Sequence, residues 1–271
     1  MKNSTSFRIM VIIRKAINAI LSPNGVSRIK YFLYGGSKQK HSFSHFYCPI
    51  CKNYFRKARV WYVDTLYFNL EHYKETNLRV VCPVCKSLPR HRILISWMEK
   101  NKDFIKKQRI LYFAPEECVL RWLTENRIHV TTADLYEASD LMIDIQETQL
   151  KEGEYNFIVA NHVLEHVQDY KKAFKEMYRI LPVGGIFVCS FPYLEDMEHT
   201  LEDNSAVTSE DKKRVFGQID HNRIFGKDIK KEMEKIGFSV SEVHGNDMSD
   251  IISPLVGPAK YDANIFFICK K

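Results

Sequence analysis

The stretch "NFIVANHVLEHVQDYKKAFKEMYRILPVGGIFVCSFP", residues 156–192, decides the fold. It begins with an apolar, strand-like run at 156–161 and continues into a helical pattern near 169–181. After a Pro-x-Gly-Gly turn, a second strand-like run follows at 186–191. Two such strands joined by a helix predict a parallel pair with the helix packed across one face.

The same alternation of strand and helix extends in both directions from this stretch. Further strands are predicted at 109–114, 128–133, 141–145, 238–243 and 264–269, and helices at 91–101, 117–126 and 227–236. The segment 194–222 reads as a charged loop. This order predicts an α/β protein with a mostly parallel, doubly wound sheet.

The charge is unevenly distributed along the chain. Residues 1–63 carry twelve Lys and Arg and no Asp or Glu, whereas the rest carries 28 basic and 33 acidic residues. A basic end of this kind favours an anionic partner such as RNA phosphate or a membrane surface. The alternative is a solvated end that keeps the protein in solution.

Residues 1–45 form a basic N-terminal extension in which 7–21 predict an amphipathic helix and 26–34 a second, short one. The apolar run Ile9–Ile13 is far shorter than the roughly 20 residues that span a bilayer, and it does not resemble a signal peptide. We therefore expect a cytoplasmic protein. The apolar face of the helix either makes peripheral membrane contact or docks onto the domain.

Two matched cysteine pairs lie in residues 46–90, which we call the cysteine module. "CPIC" supplies Cys48 and Cys51, and "CPVC" supplies Cys82 and Cys85. Four thiolates suit one tetrahedral zinc ion, and no position is left open for catalysis. We expect a structural zinc whose negative charge is offset by Lys52 and Lys86. Four reduced cysteines in a small core are the alternative.

The remaining residues, 91–271, are predicted to form the catalytic domain. Its first strand ends in "RILYFAPEE", residues 109–117, where a nucleotide-binding domain normally has a glycine-rich turn. A cofactor without phosphate, such as S-adenosylmethionine, relaxes that demand. Ala114 still permits close approach, and Glu116 can accept hydrogen bonds from the methionine ammonium or simply favour a helix N-terminus.

Further polar residues follow the next strands at the same edge of the sheet. Asp134 is placed to bind ribose hydroxyls, and Asp144 lies where an adenine amino group is expected. Asn161 ends the strand 156–161 and joins the cofactor-binding candidates. The sequence therefore predicts a site for S-adenosylmethionine at the carboxyl ends of the strands.

Several motifs resemble one known family. They are C-P-V-C-x-S-L-x-R-H-R, F-A-P-E, A-D-L, N-H-V-L-E-H-V and the run from "EDNSAVTSEDKK" to "KIGF". Over about residues 48–245 the chain resembles class I S-adenosylmethionine-dependent methyltransferases of the type 11 group, in a bacterial subfamily with an N-terminal zinc ribbon. The resemblance implies a Rossmann-like seven-stranded sheet with the last strand antiparallel.

The candidate catalytic residues cluster around "HVLEH". His162, Glu165 and His166 share one face of a helical turn, and His221 follows Asp220 downstream. Three interpretations remain open. His166 or His221 acts as a general base, or His162, Glu165 and His166 bind a divalent ion, or the motif only braces the helix.

The segment 194–222 is expected to cover the acceptor pocket, with Arg223 holding an anionic acceptor bidentately. The alternative is a loop that only caps helices and forms salt bridges. The predicted function is methyl transfer to oxygen of a sugar or small metabolite. The alternatives are a methyltransferase that acts on ribosomal or transfer RNA, and a catalytically silent binding module with the same fold.

Overall fold

The computed structural model describes residues 33, 34, 36, 37, 39, 46–56, 59–62, 77–245 and 265–271. The helix predicted over 7–21 lies outside these residues, as does nearly all of the helix predicted over 26–34. No helix in the described part of the chain is long and apolar enough to cross a membrane.

The cysteine module contains two small antiparallel ribbons. Strand β1 (Phe46–Cys48) pairs with β2 (Asn53–Phe55), and β3 (Arg59–Tyr62) pairs with β4 (Asn77–Val81). Lys52 and Lys86, which follow the two cysteine pairs, adopt positive φ angles of 53° and 59°. The left-handed backbone after each pair reverses the chain direction beside the sulfur atoms. Glycine adopts this conformation at lower cost than lysine does.

The elements after the module alternate as expected. The strands are β5 (Ile110–Phe113), β6 (Val130–Asp134), β7 (Leu141–Met142), β8 (Phe157–Asn161), β9 (Ile186–Ser190), β10 (Leu201–Glu202), β11 (Arg223–Ile224), β12 (Ser239–His244) and β13 (Ile265–Lys270). The helices are α1 (Pro89–Lys100), α2 (Lys102–Ile105), α3 (Glu117–Glu125), α4 (Tyr170–Ile180), α5 (Ser209–Phe216) and α6 (Asp228–Ile236).

Seven of these strands form the main sheet in the order β12-β13-β9-β8-β5-β6-β7. The central pairs are parallel, and β13 runs antiparallel to both of its neighbours. The predicted seven-stranded sheet with an antiparallel last strand is thus confirmed. From β5 the next strands in the chain, β6 and β7, extend the sheet to one side, and the later strands extend it to the other side. Ligands bind at such a switch point in open α/β sheets.

Apolar residues cover both faces of the sheet because alternate residues of each strand point to opposite sides. Ile110 and Tyr112 of β5 join a core that includes α1, α3 and, from the cysteine module, Phe46 and Phe55. Leu111 of β5 joins the opposite core, which includes α4 and α6. The cysteine module therefore shares a core with the catalytic sheet.

The deciding stretch folds as predicted for local reasons. All five residues of β8 are buried. Asp169 caps α4 by accepting a hydrogen bond from the Lys172 amide at 2.9 Å. The helix ends because Leu181 becomes extended before Pro182. A side chain on Gly185 would come within 2.9 Å of that turn, which explains the glycine before β9.

The predicted loop 194–222 contains more structure than its sequence suggested. It holds β10 and the helix α5, and β10 pairs with β11 just beyond it. Only Phe216 is buried in α5, so the helix has no apolar stripe to reveal it. Its ends carry a signal, because Thr208 and Asp211 form a capping box and Gly217 ends the helix with φ 91°.

Candidate active site

A cavity of about 610 Å³ opens at the carboxyl edge of the sheet, where β5, β6 and β8 end. Ala114, Asp134 and Asp144 line it, and so do His162 and His166. The other four predicted cofactor or catalytic residues are not among its lining residues. These are Glu116, Asn161, Glu165 and His221.

Asp134 ends β6 with one carboxylate oxygen already in use. Its Oδ1 accepts hydrogen bonds from the amides of Tyr136 and Glu137 at 2.8 and 2.9 Å. Its Oδ2 has no hydrogen-bond partner among the described residues. The turn after β6 thus fixes the side chain and leaves one charged acceptor for a ligand.

Asp144 is held in a similar way. Gln146 donates to it from the main chain at 2.8 Å and from its side-chain amide at 3.0 Å. Gln146 also accepts a hydrogen bond from the Asp169 amide at the start of α4. A ligand amino group would therefore meet an acid that is already oriented.

The strands β5 and β8 both end in a left-handed residue. Ala114 has φ 45° and His162 has φ 52°. The Ala114 amide still bonds Ala133 O at 2.8 Å, and the His162 amide bonds Ser190 O at 2.7 Å. The chain therefore leaves the sheet abruptly at both points, and the two turns line the cavity. Ala114 adopts this conformation at the position where a glycine-rich turn would have glycine.

Glu116 is the centre of a polar network behind the cavity. Its Oε1 accepts hydrogen bonds from Arg90 Nε at 3.1 Å and His91 Nε2 at 2.5 Å. Its Oε2 accepts from Tyr112 at 2.8 Å and from Asn161 Nδ2 at 3.1 Å. Burial alone would raise the pKa of Glu116, but His91 and the Arg90 charge outweigh it and hold the pKa well below its usual range.

This network ties the cysteine module to the sheet, because Arg90 and His91 lie in the first turn of α1. His91 Nδ1 accepts from the Leu88 amide at 3.1 Å, so Nε2 carries the proton that Glu116 receives. The four donors occupy both carboxylate oxygens of Glu116. A cofactor ammonium at Glu116 would have to compete with them, and that predicted contact stays a prediction.

A second buried carboxylate, Glu165, lies after β8. Its side chain is fully buried, and His162 Nδ1 lies 2.9 Å from its Oε1. Apart from this ion-pair contact, neither oxygen has a hydrogen-bond partner within the described part of the chain. Burial raises the pKa of Glu165, but the neighbouring histidines, His162 first, lower it below its ordinary value.

His166 and His221 complete this cluster. Their rings pack edge to face with centroids 4.8 Å apart, and His166 Nε2 is 3.9 Å from Glu165 Oε1. His221 is buried, and its Nδ1 has no partner among the described residues. Burial lowers the pKa of His221 to about 4. Sequence spacing alone placed Glu165 and His166 on one turn, whereas only the fold brings His221 to them.

Hydrogen bonds from Asn222 hold the two parts of the cluster together. The Asn222 amide donates to Glu165 O at 2.8 Å, and its side chain donates to His166 O at 2.6 Å. His221 is therefore held against Glu165 by its own neighbour in the chain. The arrangement is preorganised rather than assembled by exposed side chains.

Arg223 does not have the role expected from the sequence. It is buried, and its guanidinium donates to Glu202 Oε1 at 2.9 Å. It also donates to the main-chain oxygens of Leu164, Val167 and Gln168 at 2.6–3.0 Å. Because these partners occupy the whole fork, Arg223 is not free to bind an anionic acceptor. It instead stabilises the turn that carries Glu165 and His166.

The four cysteines converge as the spacing predicted. Sγ of Cys48 lies 3.5 Å from that of Cys85, and Sγ of Cys51 lies 3.7 Å from that of Cys82. Zinc–sulfur bonds of about 2.3 Å place the sulfur atoms of a tetrahedral site about 3.8 Å apart. The residues therefore fit a zinc ion without rearrangement of the chain.

The buried charge beside the thiolates comes from Arg92, which sequence reasoning missed. Arg92 is fully buried and donates to Ser87 O at 2.7 Å. Ser87 Oγ in turn lies 3.2 Å from the sulfur of Cys85. Lys52 and Lys86 are the left-handed residues of the two turns, whereas Arg92 is the buried cation next to the four cysteines.

The comparisons with known proteins agree with this geometry. Residues 114–243, just under half of the chain, match the family described as a methyltransferase domain. No curated protein matches the sequence.

Similar folds occur among solved structures of low sequence identity. A methyltransferase from Archaeoglobus fulgidus shares 12% identity over 67% of this chain and 94% of its own, with a TM-score of 0.45. The 1,6-didemethyltoxoflavin-N1-methyltransferase of Burkholderia thailandensis shares 12% over 66% and 77%, with a TM-score of 0.46. A possible histamine N-methyltransferase from Thermotoga maritima shares 17% over 67% and 92%, with a TM-score of 0.40.

The family match assigns a methyltransferase domain to residues 114–243, which makes the protein an enzyme, and the seven-stranded sheet order agrees with that match. Its strand ends supply the cavity, and α1, which begins at the end of the cysteine module, anchors Glu116.

Proposed function

We propose that the cavity binds S-adenosylmethionine and that the enzyme transfers the methyl group to an oxygen atom of a sugar or another small metabolite. The observation that carries the proposal is the free Oδ2 of Asp134 at the end of β6. It lies beside the turn at Ala114 and so offers the ribose hydroxyls a fixed, charged acceptor.

The reaction needs a methyl donor and a place for one proton. S-adenosylmethionine supplies a methyl group on a sulfonium, which becomes a neutral thioether as the carbon–sulfur bond breaks and a carbon–oxygen bond forms. The acceptor hydroxyl gives up its proton. Glu165 would orient His162 through Nδ1, and Nε2, which is buried and has no hydrogen-bond partner among the described residues, would take that proton from an acceptor bound against it.

In such a displacement, much of the rate enhancement comes from holding the methyl donor and the acceptor oxygen in line. The enzyme would hold the donor with Asp134 and Asp144, and the acceptor near His162 and His166. The described part of the chain leaves no free arginine in this cavity to bind a phosphate. This favours an uncharged hydroxyl acceptor over a phosphorylated one.

We further propose that the cysteine module binds one structural zinc ion and that residues 46–90 fold around it. The support is the spacing of the four sulfur atoms and the buried Arg92 beside them. A module of this size has little core of its own, and binding of the metal would contribute to its folding free energy.

An RNA acceptor is the second candidate. It is favoured by the twelve basic and no acidic residues in positions 1–63. The same segment also underlies the proposal of peripheral membrane contact. Both proposals concern residues that lie largely outside the described part of the chain.

The test is a transfer assay with methyl-labelled S-adenosylmethionine. Purified enzyme is offered a panel of uncharged sugars and small hydroxylated metabolites, and separately total RNA, with Asp134→Ala as the matched control. Label in a small molecule that Asp134→Ala fails to produce supports the proposal. Label in RNA alone favours the second candidate. Cofactor binding without any label transfer would support a silent binding module.

A further inference from the structure

Three potential ligand atoms converge below the cavity. The carboxylate of Glu165, a ring nitrogen of His166 and a ring nitrogen of His221 all lie within 4.8 Å of one another. His166 is exposed, whereas Glu165 is fully buried and His221 is 8% exposed. Neither carboxylate oxygen of Glu165, nor Nδ1 of His221, has a hydrogen-bond partner among the described residues. A buried polar atom without a partner costs about 1–3 kcal/mol, and more if it is charged, so a ligand that satisfies both groups would stabilise the site.

A cation would satisfy these atoms at once. Ligands about 2.1 Å from a metal ion lie roughly 3–4 Å apart, and His166 Nε2 is already 3.9 Å from Glu165 Oε1. The His221 nitrogen lies within 4.8 Å of the other two ligand atoms, and Asn222 holds its segment against the turn that carries Glu165 and His166.

The surroundings of His166 resemble those of a metal ligand. Its Nδ1 lies 3.2 Å from the main-chain oxygen of Asp220 and 3.3 Å from Oδ2 of the same residue. A histidine that binds a metal usually donates its second ring N–H to a carbonyl or carboxylate, which fixes the tautomer. Asp220 would therefore hold the Nδ1 proton and leave Nε2 free toward Glu165.

We propose that Glu165, His166 and His221 bind one divalent transition-metal ion whose open positions face the cavity. Two imidazoles and one carboxylate suit Mn²⁺, Fe²⁺, Co²⁺ or Zn²⁺ better than Mg²⁺ or Ca²⁺, which prefer oxygen ligands. His162 is not a ligand. It keeps its ion pair with Glu165 and stands beside the site.

This site gives the proposed reaction a binding position for the acceptor. His166 and Asp220 line the cavity, so an ion held by His166 has its open positions on that side. A hydroxyl bound to such an ion loses its proton more readily, and His162 is the neighbouring group that can take it. Only this role in catalysis rests on the proposed function, because the ion site itself stands on Glu165, His166 and His221.

The experiment measures Mn²⁺ binding to the full chain by electron paramagnetic resonance, without a chelator, so that the cysteine module keeps its metal. We expect one Mn²⁺ per chain with nitrogen couplings from two imidazoles. Glu165→Gln and His221→Ala should each weaken binding at least 10-fold. The exposed His199→Ala is the neutral control, and His162→Ala should change Mn²⁺ affinity by less than 3-fold.

Absence of Mn²⁺ binding to the wild-type chain would overturn the proposal. Bound Mn²⁺ without imidazole couplings in the wild-type spectrum would also overturn it, and this readout needs no variant. An equal loss of Mn²⁺ affinity in His162→Ala and His221→Ala would overturn it as well. Calorimetry with S-adenosylmethionine on the same samples separates the two proposals. Mn²⁺ binding without cofactor binding would leave the ion site standing and refute the proposed function.

Discussion

Two glutamates follow neighbouring strands of the sheet and have opposite surroundings. Glu116, after β5, accepts hydrogen bonds from four different side chains that occupy both of its oxygens. Glu165, after β8, is fully buried with ion-pair contacts to two histidines and no satisfying hydrogen bond among the described residues. Both have histidines beside them in the folded chain, so the difference lies in their hydrogen bonds.

The difference separates a structural role from a chemical one. A fully satisfied polar network stabilises the fold and specifies one arrangement, as Glu116 does between α1 and the sheet. A polar network with unsatisfied groups lowers stability, and it is retained where a bound ligand or a reacting group supplies the missing hydrogen bonds. The network around Glu116 therefore anchors the enzyme, and the cluster around Glu165 is where we expect its chemistry.

Loss of zinc should have the largest effect, because it acts on the fold as a whole. Cys48→Ser or Cys85→Ser should lose the metal and soluble expression, because structural zinc contributes on the order of 10 kcal/mol to such modules. Elemental analysis of wild-type protein should give one zinc per chain. A zinc-free protein with unchanged stability in strong chelator would contradict this prediction.

Substitution of Glu116 comes next. Glu116→Gln keeps the shape but leaves Arg90 and His91 without their charged partner, and we expect the free energy of unfolding to fall by about 3–5 kcal/mol. Urea denaturation measures the change, with the exposed Glu117→Gln as control. Equal stability of the two variants would show that the network is not an anchor.

The same substitution should alter the response to acid. Because the folded-state pKa of Glu116 is lowered, its contribution is complete above the unfolded value of about 4.3 and is lost as pH falls toward the folded pKa. The wild type should therefore lose stability below about pH 4 more steeply than Glu116→Gln does. Parallel acid curves would contradict this.

Substitution at Glu165 should give the reverse pattern. Glu165→Gln removes a buried charge that two histidines stabilise but that has no hydrogen bond, so we expect a smaller loss of stability than in Glu116→Gln. Turnover should fall roughly 10²-fold or more, since the His162 base loses its orienting group. A stability loss as large as that of Glu116→Gln, with normal turnover, would erase the contrast between the two sites.

Much of the fold could be predicted because local patterns determine it. The run 157–160 is continuously apolar, α4 has a buried stripe, and Pro182 with Gly185 forces the turn between α4 and β9. The helix α5 was missed because only one of its residues is buried. Its capping box was a signal that the sequence reading did not use.

The site was only partly predictable for a different reason. Asp134 and Asp144 follow strands, so the rule that ligands bind at carboxyl edges was enough to place them at the cavity. The partners of Glu116 come from the first turn of α1, and His221 reaches Glu165 through hydrogen bonds from Asn222. Such contacts depend on how distant segments pack, which neither spacing nor periodicity encodes.

The central claim is that S-adenosylmethionine binds in the cavity through Asp134, and calorimetric titration tests it most directly. Wild-type enzyme should bind the cofactor at one site per chain. Asp134→Ala should weaken binding by about 1.5–3 kcal/mol through lost charge-assisted hydrogen bonds, while the neighbouring Glu137→Ala should not. No binding to the wild type, or equal affinity in wild type and Asp134→Ala, would contradict the account.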